Sequence, residues 1–183
     1  MAFDIRTALS GRSFPTATVS IWTDEEVFFR INALEKRLAG ETDHGKVAEL
    51  EDALSGEYKR RDAEAIEVTI QAITPRSRED LTTKAFSEFP IKRDPYGRED
   101  ELQAFKRNRH LKELIFAKYI KVLKAADGEQ VLDDETAGDV VRAILDQAPE
   151  FSIERLDKAI EQLSIKADAE RIASMEPDFL SKS

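Results

Sequence analysis

A chain of 183 residues with 41% hydrophobic and 36% charged side chains, but only 7 glycines and 6 prolines, can bury one good core and has too few turn formers for a β-sandwich. The net charge of -9 argues against a general nucleic-acid binder, and the lack of cysteine excludes a disulfide framework, thiol catalysis and thiolate metal sites. No apolar run approaches the roughly 20 residues needed to span a bilayer, and MAFDIRTALSGRSF lacks the charged and apolar regions of a signal peptide.

Residues 1–16 hold Phe3, Ile5, Leu9, Phe14 and Pro15 without a sustained period and read as an irregular arm. Ala17 to Trp22 alternates as a short strand, with Ala17, Val19 and Ile21 on one side. Thr23 or Asp24 then caps a helix carrying Val27, Phe28, Ile31, Leu34 and Leu38 at helical spacing. After the polar turn GETDHG, a second helix returns with Val47, Leu50, Leu54 and Tyr58. The two form an αα-hairpin over 23–62 with narrow apolar stripes. Ile66 to Ile73 is the clearest strand, with Ile66, Val68, Ile70 and Ala72 alternating against Glu67, Thr69, Gln71 and Ile73. Thr74-Pro75 stops it, and Ser77 with Asp80 forms a capping pair before a helix that ends at Pro90.

Asp94-Pro95-Tyr96-Gly97 reads as a turn, and the longest helix is predicted over 101–125. Its first half is polar apart from Leu102 and Phe105, while its second half is apolar enough to demand burial or a second subunit. Asp127-Gly128 breaks it. Asp133 or Asp134 caps a helix closed by Pro149, Ser152 caps another through Leu163, and 165–174 extends it with thinner apolar content. The expected fold is α+β and predominantly helical: a two-stranded antiparallel element (17–22 with 66–73), the hairpin between its strands, and four further helices. Residues 1–125 form the mixed domain and 126–183 an acidic helical region packed on that same domain, with a flexible tail from about 176 that exposes Phe179 and Leu180.

Chemistry is sparse. His44 and His110 stand apart in ordinary exposed settings, and no metalloprotease, nucleophile-elbow, phosphate-loop or dinucleotide motif is present. Asp127, Glu129 and Asp133–Glu135 lack calcium-loop spacing and read as helix caps. No catalytic residue, cofactor or metal is expected, and an enzyme is the least supported class. Charge is uneven: residues 101–125 carry 7 basic and 2 acidic side chains, and 126–183 carry 6 basic and 15 acidic. The basic stripe comprises Lys106, Arg107, Arg109 and Lys112, then Lys118, Lys121 and Lys124. It admits three readings: a solvated face paired with the acidic helices, a subunit-to-subunit contact with the acidic region, or a phosphate-binding face.

The arm and first strand LSGRSFPTATVSI, the charged hairpin, and above all EVTIQAITPRSREDLTTKAFSEFP resemble the tail assembly chaperones of long-tailed, siphovirus-type bacteriophages of the actinophage-like kind. The similarity covers roughly residues 9–125. It implies a protein that binds the tape measure protein, keeps that long helical chain soluble and helps recruit major tail protein. It further implies work in the cytoplasm of the infected host, self-association, absence from the finished virion, and in many relatives a second, frameshifted long form. Lys106, Arg109, Lys112, Lys118, Lys121, Phe179 and Leu180 are the candidate partner and self-assembly residues. Nucleic acid and membrane are not expected partners. The alternatives are a scaffold or head–tail connector component, and a nucleic-acid-binding regulator using the basic helix.

Overall fold

A computed structural model describes residues 14–175. In chain order the elements are β1 (Thr16–Ile21), α1 (Glu26–Gly40), α2 (His44–Ala63), β2 (Ile66–Gln71), α3 (Pro75–Glu88), α4 (Glu101–Tyr119), β3 (Ile120–Ala125), β4 (Gly128–Val131), α5 (Thr136–Gln147) and α6 (Glu150–Met175). The predominantly helical α+β class, the α1/α2 hairpin and the four further helices follow the sequence reading. So does the antiparallel pairing of β1 with β2, in register from Thr16↔Gln71 to Ile21↔Ile66. The N-terminal arm with Phe3, Ile5 and Leu9, and the tail with Phe179 and Leu180, lie outside the described residues.

The sheet corrects the two-stranded expectation. It has four strands in the order β1-β2-β3-β4, all antiparallel. The helix predicted to reach Ala125 ends at Tyr119, and Ile120–Ala125 is strand β3 instead. The apolar run after Leu111 suits a buried helix and a buried strand equally well by periodicity. The β-branched Ile120 and Val122 favour the extended form. Tertiary context decides it, because β2 is an interior strand that needs ladder partners on both edges. Asp127-Gly128, read as a helix stop, belongs to a tight hairpin in which Ala125 pairs with Gly128. A register shift between Thr69 and Ile70 leaves Lys121 as the extra residue of a bulge.

Val68 and Ile70 of β2, Ala72 just after it and Ile21 of β1 point to one face. There they meet Phe116, Tyr119, Val141, Leu156, Ile160 and Leu163 from three helices in the main buried cluster. The core therefore joins residues from both sides of position 125. Inside it, the Tyr119 hydroxyl lies 2.7 Å from Ser164 Oγ, which donates to Ile160 O, so neither polar group is left unpaired. The opposite face is polar: Thr18 lies against Thr69, and Lys124 Nζ is 3.5 Å from Glu67.

Local caps explain most helix starts. Asp43 accepts from Gly45 and Lys46 amides, and Asp100 from Gln103. His44, read as a turn residue, is thus the first residue of α2. Thr74, rather than Ser77, caps α3, accepting from Ser77 N at 3.1 Å with Pro75 at the first helical position, where its missing N–H costs nothing. At α5, Asp133 Oδ1 accepts from the amides of Glu135 and Thr136 and from the Thr136 hydroxyl. The Thr136 bonds hold its carboxyl below the ordinary carboxylate range. Helix α6 is one unbroken rod, and it starts at Glu150 rather than at Ser152.

Ser152 has a different task, at the joint between layers. Its Oγ accepts the Trp22 amide at 3.0 Å, while the Trp22 indole N–H donates to Arg61 O at 2.9 Å. The indole meets Phe28 edge-on at 5.1 Å, Phe28 meets Phe151 at 4.8 Å, and the Arg155 guanidinium sits 5.4 Å over the indole. One residue thus ties β1, both hairpin helices and α6 together. Beyond this root α1 and α2 pack chiefly on each other through Val27, Ile31 and Leu50, with Arg30 3.0 Å from Glu57. Trp22→Ala is expected to cost about 3–5 kcal/mol in urea unfolding followed by circular dichroism. Trp22→Phe, which keeps the ring but leaves Arg61 O without its donor, is expected to cost distinctly less. Equal losses for both would show that the indole N–H, not the packing, dominates.

Candidate interaction surface

The basic stripe divides between two elements. Lys106, Arg107, Arg109, Lys112 and Lys118 ride on α4, whereas Lys121 and Lys124 belong to β3. The every-third-residue recurrence of lysine therefore does not describe one helical face. On α4 the cations meet the acidic C-terminal third of the same chain. Arg109 pairs with Asp146 of α5, Lys112 with Asp157 of α6, and Lys118 with Asp134 at 3.1 Å. The bond to Asp146 raises the Arg109 guanidinium further above its ordinary value. Arg107 points the other way, is buried, and pairs with Glu99 while its guanidinium lies 4.5 Å from the Phe86 ring centre. Lys106 is exposed, and neither it nor Lys121 makes an ion pair among the described residues.

His110 is not the solvent-exposed side chain that its surroundings in sequence suggest. Its Nε2 lies 2.8 Å from Glu88 and its ring packs 5.3 Å from Phe89, so it helps fasten α3 to α4. Arg78 of α3 reaches Asp168 of α6 at 3.8 Å.

What α4 leaves uncovered is apolar rather than basic. Leu102 and Phe105 are 62% and 63% exposed, three residues apart on the first turns of the helix. Such a pair stacks on one helical side. Beside Phe105 a groove of about 380 Å³ opens between α4 and the α5–α6 corner. Leu145 and Ile153 supply apolar lining, Arg109 and Lys112 line it from α4, and Glu150 and Glu154 from α6. An apolar strip bordered by cations on one side and carboxylates on the other fits an amphipathic helix whose flanks carry both signs of charge. Sequence reasoning flagged Leu102 and Phe105 as the apolar exceptions in a polar stretch. The groove itself depends on α5 and α6 folding back onto α4, which no local pattern announces.

Among the described residues, no group of three or more His, Cys, Asp or Glu side chains could hold a metal ion. Nor is any helix among them long and apolar enough to cross a membrane. Compared with known proteins, the chain matches no family model, no curated protein and no solved structure.

The pairing between α4 and the acidic third is testable by charge exchange. Lys112→Glu is expected to lower the melting temperature by a few degrees, because it sets two carboxylates against each other. Adding Asp157→Lys to the same chain is expected to recover most of the loss. No recovery in the double variant would mean that the pair contributes nothing to the fold.

Proposed function

We propose that this chain is a tail assembly chaperone of long-tailed bacteriophages. In this role it binds the tape measure protein in the host cytoplasm, keeps it from aggregating and presents it for assembly with major tail protein. The observation that carries the reading is the exposed Leu102–Phe105 strip running into the charged groove between α4, α5 and α6. A tape measure protein is a long helical chain that needs its apolar stripe covered until tail subunits surround it. A groove with apolar lining from Leu145 and Ile153 and mixed-charge walls suits such a segment, because it covers an apolar stripe and can match flanking charges of either sign. The family resemblance of residues 9–125 supports the same role.

The phosphate-binding alternative draws less support, because Arg109, Lys112 and Lys118 are already engaged by carboxylates of their own chain. The same engagement bears on self-association: a head-to-tail contact between the basic stripe and a neighbour's acidic third would have to displace these intramolecular pairs.

Co-expression of the chain with the tape measure protein of its own phage tests the proposal. Wild type is expected to hold the tape measure protein in the soluble fraction. Leu102→Glu/Phe105→Glu is expected to lose most of that effect while keeping a wild-type melting temperature, since both side chains are exposed. Undiminished solubilisation by the double variant, or none by wild type, would count against the reading.

A further inference from the structure

The second surface with unsatisfied chemistry is the β1 edge of the sheet, whose other edge is β4, and it is independent of the proposed chaperone role. Strand β1 has a ladder partner on one side only. The Ala72 amide donates to Pro15 O at 2.9 Å, which sets the parity of the ladder. In an antiparallel pair alternate residues turn both main-chain groups to the neighbour. Ala17, Val19 and Ile21 therefore bond toward β2, and Thr16, Thr18 and Ser20 turn their N–H and C=O groups outward. The 3.5 Å approach of the Thr18 and Thr69 hydroxyls agrees, because side chains come closest at non-hydrogen-bonded pairs. The next outward amide, that of Trp22, is taken by Ser152 Oγ of α6. From Thr16 to Ser20 the outward groups have no partner among the described residues.

Natural sheets blunt such edges with lysine, proline, bulges or a covering segment. The segment TATVSI has no charge and no proline, and its pairing with β2 shows no register shift. Alongside it runs α6, whose Ser152 holds the Trp22 amide and whose residues from Arg155 to Lys166 share a groove with Thr16–Val19. Between strand and helix lies a groove of about 480 Å³ whose charged lining is Arg155, Lys158 and Lys166, without a carboxylate. In a chain of net charge -9 this is a local reversal of sign. Lys158 and Lys166 are 71% and 65% exposed, and each reaches only a distant carboxylate on its own helix, at 3.8 and 3.9 Å.

We propose that the β1 edge binds an extended acidic peptide as an added strand. Main-chain groups of the peptide would complete the ladder at Thr16, Thr18 and Ser20, and a carboxylate at every second position would face Arg155, Lys158 and Lys166. The main-chain bonds supply affinity and the alternating side chains supply selection. A second copy of this chain fits less well, since two β1 edges joined about a two-fold axis bring two cationic α6 rows together.

Fluorescence anisotropy with a labelled, end-capped octapeptide alternating glutamate and valine tests this on the full chain. Saturable binding that weakens with added salt is expected, and none is expected with the lysine–valine counterpart. Thr18→Pro removes an outward N–H without touching the β2 ladder, and is expected to weaken binding roughly tenfold or more. Should that variant unfold by circular dichroism, Lys158→Glu/Lys166→Glu on the exposed side of α6 is expected to weaken binding by a similar factor. Three results would overturn the proposal: no saturable binding to wild type, equal binding of the lysine peptide, or binding unchanged in every folded variant. Two further outcomes would also reject it, by assigning the edge elsewhere. One is a wild-type dimer, refractory to peptide, that Thr18→Pro dissociates. The other is peptide binding that emerges only after removal of residues 1–13.

Discussion

Burial of the single tryptophan at the end of β1 is the contact on which the arrangement of layers depends. A helical hairpin inserted between two adjacent strands has no reason of its own to keep a fixed angle to the sheet. Trp22 supplies one. Its amide is held by Ser152 at the start of α6, its indole N–H by Arg61 near the end of α2, and its ring by Phe28 of α1 and Phe151 of α6. An indole buries on the order of 200 Å² and brings a polar tip that must find a partner, so it penalises any orientation in which Arg61 O is out of reach. With the root of the hairpin set, Ile21, Val68 and Ile70 present one continuous apolar face. Helices α4, α5 and α6 close over that face, leaving the other to threonine and charged side chains.

Electrostatics then decide which surfaces remain available. The chain places a basic helix beside an acidic third, and the fold lets them neutralise one another at Asp134, Asp146 and Asp157. These pairs are partly exposed and each contributes little to stability. Their effect is on specificity: they remove the basic stripe as a general anion trap and leave mixed-sign walls around an apolar strip. Among the described residues, the row of cations on α6 beside the β1 edge faces an open groove without carboxylates.

The sequence was informative wherever one period dominated. Alternation over Ile66–Ile73 and Ala17–Trp22 located the paired strands within two residues, and helical spacing from Val27 to Tyr58 located the hairpin. It misled at Ile120–Ala125, where an apolar-rich run suits helix and strand alike. Lys118, Lys121 and Lys124, spaced by three, imitated a helical face although the last two lie on a strand with a bulge at Lys121. Ser77 and Asp80 drew attention from Thr74, whose hydroxyl precedes a proline well placed to start a helix. The interaction surfaces were legible only in part. Leu102 and Phe105 stood out by composition, but the α4 groove requires α5 and α6 to be in place, and the open edge of β1 is defined only once strand order is known. Charge counts showed that basic and acidic regions should meet without telling whether they meet within one chain or between two.

The proposed recognition of a long helical partner rests on the exposed Leu102–Phe105 pair and on the mixed-charge groove beside it. The most direct measurement of the proposed role is hydrogen–deuterium exchange of the chain alone and mixed with a helical segment of the tape measure protein that the proposal gives it as partner. Protection is expected to concentrate on the first turns of α4 and on the α5–α6 corner around Leu145 to Glu154, with the hairpin unchanged. Protection confined to the α1/α2 hairpin, or none at α4, would contradict that role.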